Sequence, residues 1–125
     1  MARILTIDDS PLARSVVRIV LERDGHTLIE ARDGIEGLDI AISSRPDVIL
    51  CGVSLPGMGA HDVARCLRGA GISAPMIALG HDTEQGSCIV SGDLGIIGMV
   101  GRPLCADALR SGVDAAIHAG SRFAA

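Results

Sequence analysis

The sequence predicts a doubly wound α/β domain, in which one parallel five-stranded sheet is covered by helices on both faces. Two observations carry this. Five short apolar runs recur along 125 residues, at 4–7, 27–31, 48–51, 75–79 and 96–100. Between them lie segments with helical spacing of apolar residues, the alternation expected of repeated strand–helix–strand units. A third observation fixes the sheet as parallel and central. The run Val48-Ile49-Leu50-Cys51 is apolar without alternation, as a strand covered on both faces requires.

The elements follow in order. Residues 4–7 form the first strand and run into Asp8-Asp9-Ser10-Pro11. Ser10 suits an N-cap and Pro11 the first helical position. Leu12, Val16, Ile19 and Val20 recur at helical spacing, and Gly25 suits the left-handed residue that ends the helix. Asp33-Gly34 opens a second helix with Ile35, Leu38 and Ile42 on one side, and Pro46 stops it. A loop over 52–59 precedes a third helix carrying Val63, Ala64 and Leu67. A weaker helix is expected over 83–90, and a last helix over 106–119 with Leu109, Val113, Ala116 and Ile117 inward.

Composition narrows the function classes. The length suits one domain over 1–125, and 48% hydrophobic residues argue against disorder. A net charge of −4 with no block of basic residues speaks against a nucleic-acid surface. No apolar run could span a bilayer and no start resembles a signal peptide, so the expectation is a cytoplasmic protein without a membrane partner. The chain has no Lys, Trp or Tyr, and Phe123 is its one aromatic residue. Cys51, Cys66, Cys88 and Cys105 form no Cys-x-x-Cys pair and read as reduced, packed thiols.

In a doubly wound sheet, chemistry sits beyond the carboxyl ends of the strands. Asp8-Asp9, Gly52, Gly80-His81 and Gly101-Arg102 stand there. The motifs around them resemble those of a CheY-like response-regulator receiver domain over nearly the whole chain. The matching segments are Ile7-Asp8-Asp9-Ser10-Pro11, Gly25-His26, Ala31-Arg32-Asp33-Gly34, Arg45-Pro46-Asp47-Val48-Ile49-Leu50, Leu55-Pro56-Gly57-Met58 and Arg102-Pro103-Leu104. The resemblance implies a flavodoxin-like fold of five strands and five helices. It also implies bacterial two-component signalling or a phosphorelay, with a histidine kinase, a phosphotransfer domain or a downstream effector as partner.

Carried over position by position, the resemblance places the family's phosphoacceptor aspartate on Gly52. Its hydroxyl residue falls on Gly80, its lysine on Arg102 and its aromatic switch residue on Met99. Phosphoryl transfer to a receiver needs a carboxylate nucleophile, which glycine cannot supply. Asp8 and Asp9 remain of the acidic set, so the expected cofactor is none, with magnesium held weakly at best. The alternative for this pair is neutralisation by Arg102, whose planar fork suits a carboxylate. Arg14 and Arg18, four apart on the first helix, lie on the side that docks kinases and phosphotransfer domains in the family. They equally suit a solvated helix face.

Other sharp readings are weaker. His81-Asp82 at the rim could join a transition-metal site, against the plainer reading of an exposed loop. His61-Asp62 lacks the further ligands of a hydrolase site, and Ser54 lacks a base to activate it. The expected function is therefore a stand-alone, degenerate receiver acting as a phosphorylation-independent interaction module, not an enzyme. The alternative is a sensor whose glycine-opened pocket takes a small ligand, anion or nucleotide.

Overall fold

The computed structural model describes residues 1–80 and 92–123. The strands are β1 (Arg3–Ile7), β2 (Thr27–Ala31), β3 (Val48–Gly52), β4 (Met76–Gly80) and β5 (Ile96–Gly101). They form one sheet in the order β2-β1-β3-β4-β5, all pairs parallel. The helices are α1 (Pro11–Arg23), α2 (Gly34–Ser44), α3 (Ala60–Gly69) and α4 (Ala106–Phe123), with a short 3₁₀ turn at Gly92–Leu94. The helix expected over 83–90 lies outside the described residues, as do His81, Asp82 and Cys88.

Local chemistry sets the element ends as expected. Ser10 caps α1 by accepting from the Ala13 N–H, Pro11 opens the helix, and Gly25 follows it at φ +87°. Asp33 caps α2, which ends before Pro46 with Arg45 in the left-handed region at φ +47°.

The sheet separates two cores. Leu5, Ile7, Ile49, Cys51, Met76 and Ala78 face α2 and α3, where Ala41, Val63, Ala64 and Leu67 meet them. Ile4, Leu28, Leu50, Ile77 and Leu79 face α1 and α4, meeting Val17, Leu21, Leu109, Val113 and Ala116. The inward residues expected of α3 and α4 are thus in place, with Ile117 packed at the margin.

Two expected faces are corrected. The stripe of α1 that meets the sheet is Ala13, Val17 and Leu21; of the residues expected, Val16 and Val20 pack at the margin of this core, while Leu12 and Ile19 are exposed. In α2 the buried residues are Gly34, Gly37 and Ala41, and Ile35 and Ile42 are exposed. The reason in α2 is close approach. A Cβ on Gly37 would stand 2.4 Å from Cδ1 and 2.7 Å from Cγ1 of Ile7, so only a small residue lets the helix backbone lie this near β1. The thiols also differ from expectation: Cys51 is buried, but Cys66 and Cys105 are exposed.

The close approach gives a test. Gly37→Ala is expected to cost about 2 kcal/mol, because Ile7 is fully buried and cannot swing aside. Gly69→Ala at the end of α3, where nothing lies within 4 Å of the added carbon, is expected to gain about 0.5 kcal/mol. Urea denaturation of both variants measures the contrast.

Candidate functional site

The carboxyl ends of β1, β3 and β5 deliver Asp8, Gly52 and Arg102 to one cleft of about 330 Å³. Asp9, Ser10, Ser54, Leu55 and Leu79 complete its lining. Gly80 ends β4 and is buried, but does not line the cleft; its carbonyl accepts from the Arg102 backbone N–H at 2.8 Å. Met99 is half-buried in register with Ala78 and packs against the core beside α2 and α3.

The acidic pair is split. The Asp8 side chain is fully buried, whereas Asp9 is exposed. Both Asp8 oxygens are engaged. Oδ2 accepts from the Arg102 guanidinium, and Oδ1 from the Ser10 N–H at 2.9 Å. The Asp8 N–H donates to the Ala31 carbonyl at 3.1 Å, and the Asp8 carbonyl accepts from Arg14 Nη1 at 2.6 Å. Arg102 itself is 21% exposed. Pairing with Arg102 is thus the arrangement the residues adopt, and a buried carboxylate demands such a partner.

Gly52 leaves room that another side chain covers. A Cβ built there would meet Leu55 Cδ2 at 3.1 Å and Asp8 Oδ2 at 3.4 Å. Cys51, just before it, is buried beside Asp8; burial first, and then the Asp8 charge, push its thiol up to about 12. At neutral pH it is therefore protonated and no nucleophile.

Arg14 and Arg18 are not free cations. Arg14 Nε pairs with Glu30 at 3.0 Å, and Arg18 Nε pairs with the other Glu30 oxygen at 2.6 Å. Arg18 also reaches Glu22 at 2.9 Å. The hydrogen bond from Arg18 is the main cause holding the Glu30 carboxyl below its usual range, against the opposing effect of burial. Glu30 was invisible as a functional position in sequence: a single acid in the apolar run of β2. The signal for it is the i,i+4 arginine pair, which needs an acid on the strand that the helix crosses.

The sign of its pH effect follows. A carboxyl whose folded-state value is depressed stabilises the fold above its unfolded value, and that contribution is lost as pH falls through the folded value. Glu30→Gln is therefore expected to be less stable than wild type at neutral pH by up to about 1 kcal/mol. The gap should close progressively as pH falls below the ordinary glutamate range. Paired urea titrations across this range read it directly.

Of the remaining residues, Ser54 lines the cleft, and Asp62 pairs with Arg65 at 3.6 Å on the outer face of α3. No group of three or more His, Cys, Asp or Glu able to hold a metal occurs among the described residues. No helix among them is long and apolar enough to cross a membrane.

The model of the response regulator receiver domain matches residues 4–114. The chain belongs to the response-regulator receiver family. Among curated relatives, this receiver is 38% identical to the response regulator MprA of Mycobacterium tuberculosis over 77 residues, which are 62% of this chain and 34% of MprA. It is 37% identical to the protein PilH of Pseudomonas aeruginosa over 67 residues, 54% of this chain and 55% of PilH. The receiver thus spans about a third of the one and about half of the other. In structure it is similar to the chemotaxis protein CheY4 of Vibrio cholerae, with TM-score 0.84 and 26% identity over 93% of this chain and 98% of that one. A receiver domain protein of Clostridium thermocellum superposes with TM-score 0.87 and 25% identity, over 98% and 99% of the two chains.

Receivers imply a magnesium ion beside the acidic pair, and the residues here do not fit one. Magnesium asks for one or two free carboxylates with room for waters. Asp8 has both oxygens engaged and a guanidinium on one of them. Gly52 offers no side chain, and Asp9 is exposed at the rim with no second carboxylate free beside it among the described residues.

Proposed function

We propose that this receiver works in two-component signalling as a phosphorylation-independent protein-interaction module, acting by binding and not by catalysis. The observation that carries this is at the end of β3. The position that the family gives its acceptor is Gly52, the space beside it is covered by Leu55, and the neighbouring acid is held by Arg102. A carboxylate nucleophile and a cation to neutralise the incoming group are both required for acyl phosphate formation. Neither is supported by this set of residues.

The partner, on this reading, is a histidine kinase, a phosphotransfer domain or an effector that binds the receiver in its single standing conformation. The surface of α1 suits such contact. Arg14 and Arg18 are tied to β2, so the helix presents a fixed face, and Leu12 and Ile19 stand 74% and 56% exposed on it. The small-ligand alternative is weakened by Arg102, which closes onto Asp8 and leaves its charge already satisfied.

Incubation with acetyl phosphate and magnesium is expected to leave the intact mass unchanged, with no acid-labile, base-labile acyl phosphate adduct. A stoichiometric phosphoryl adduct on an aspartate would overturn the proposal. Partner capture from the native cell should in turn be equal with and without phosphodonor, and fall when Leu12 and Ile19 are both changed to Ser.

A further inference from the structure

We infer that Arg102 is the resident cation of the Asp8 site, and that it closes this receiver to divalent metal. The inference deepens the reading of Gly52 as a lost acceptor and rests on it.

The topology makes the contact demanding. Asp8 follows β1 and Arg102 follows β5, and the sheet order places β3 and β4 between them. Three strand spacings amount to about 14 Å. The pair must therefore close over the ends of β3 and β4, and those ends are Gly52 and Gly80. The last residue of each intervening strand has no side chain, and the β4 side chain that lines the cleft is the apolar Leu79. At Gly52 a Cβ would stand in contact with Asp8 Oδ2, at 3.4 Å, so a longer side chain there would share the space beside Asp8. Two glycines and one long, forked cation are thus one arrangement and not three separate losses. Arg102 reaches Asp8 because the ends it crosses are bare.

The charge argument leads to the same place. A single buried carboxylate is balanced by a single guanidinium, and the second carboxylate oxygen is held by the Ser10 N–H. A divalent ion at Asp8 would have to displace the guanidinium or sit against its charge. Displacement would have to break the Arg102–Asp8 pair, which is buried on the Asp8 side; the Arg102 backbone is held in place by its N–H on the Gly80 carbonyl at 2.8 Å. Arginine stays charged at any pH that a protein tolerates, so the latch does not open by deprotonation.

The test uses manganese as the probe, read by its paramagnetic effect on water relaxation, with the whole chain. Wild type should show no saturable site. Arg102→Gln removes the charge while keeping a polar side chain at the rim, and should bind manganese at least about tenfold more tightly. Adding Asp8→Asn to that variant should abolish the gain. A wild-type site as tight as that of the variant overturns the inference, as does a folded Arg102→Gln that gains nothing. A second reading needs no variant: the wild-type melting temperature should not respond to magnesium beyond the effect of matched sodium chloride, and a magnesium-specific rise overturns the inference. These readouts are independent of phosphodonor chemistry. An acyl phosphate adduct would sink the proposed function, whereas metal binding without an adduct would sink only the latch.

Discussion

Arg102→Ala is expected to lower stability by about 3 kcal/mol at neutral pH, and Asp8→Ala by no more than about 1–2 kcal/mol. The two changes break the same ion pair, so the asymmetry is the informative part. Asp8 is fully buried, and without Arg102 its carboxylate keeps only the Ser10 N–H as a charge-stabilising partner among its described contacts. Removing one member of a buried pair typically costs about 3–5 kcal/mol, and the lower end applies because Arg102 is partly wet. Loss of Asp8 is milder. Arg102 is 21% exposed and can turn its guanidinium to water, where an arginine needs no protein partner. Asp8→Ala does leave the Ser10 N–H without its acceptor, which accounts for the remaining cost. Arg102→Gln should fall between wild type and Arg102→Ala, because its stem and amide still fill part of the space above Asp8 and keep a dipole near the carboxylate. Denaturation in urea of the three variants measures the order. Equal losses for Asp8→Ala and Arg102→Ala would show that burial of the acid does not dominate the pair.

The fold was legible because its signals are local and repeated. Apolar runs, Ser10-Pro11, Gly25 and Pro46 each act over a few residues, and the structure keeps every one. What sequence could not supply was the roll of the helices. In α1, Leu12, Val16 and Ile19 form as good a stripe as Ala13, Val17 and Leu21. Pairing of Arg14 and Arg18 with Glu30, on a strand sixteen residues past Arg14, favours the second stripe and goes with Leu12 and Ile19 facing outward, while Val16 packs at the margin of the core. In α2 the larger residues lose to the smaller ones, because the helix backbone lies too close to Ile7 for any side chain at position 37. The site divides in the same way. That Asp8, Gly52 and Arg102 meet follows from strand ends in a doubly wound sheet. That Asp8 is buried while Asp9 is exposed does not, since adjacent residues at a strand end point to opposite sides and sequence does not say which side is covered.

Arg68→Ala is expected to cost about 3 kcal/mol, although in sequence Arg68 is an ordinary basic residue in the last turn of α3. Its guanidinium is surrounded by backbone carbonyls. Nε donates to Leu94 at 2.7 Å, Nη2 to Ala74 at 2.7 Å, and Nη1 to Ile72. Burial pulls its pKa below the usual arginine value, as expected for a cation held by dipoles and not by an acid. Space is made for it by Gly95, at φ +76°, where a Cβ would stand 2.5 Å from Nη2. The three carbonyls belong to the segment entering β4 and to the turn entering β5, so one side chain ties the starts of both strands to α3. Hydrogen bonds from charged donors are worth about 1.5–3 kcal/mol each. Alanine would surrender all three, and water entering the gap would recover part of the loss. Arg68→Met keeps the stem and loses the donors, so it should cost nearly as much; a small effect there would mean that packing and not hydrogen bonding carries the clamp. Amide exchange adds a local reading. The Met76 N–H donates to the Gly95 carbonyl at 2.8 Å, and its protection should fall in Arg68→Ala by more than global stability requires. Because Gly80 ends β4 and Arg102 directly follows β5, loosening their starts should also weaken the hold on Asp8, and the Arg68 and Arg102 effects should then be less than additive in the double variant.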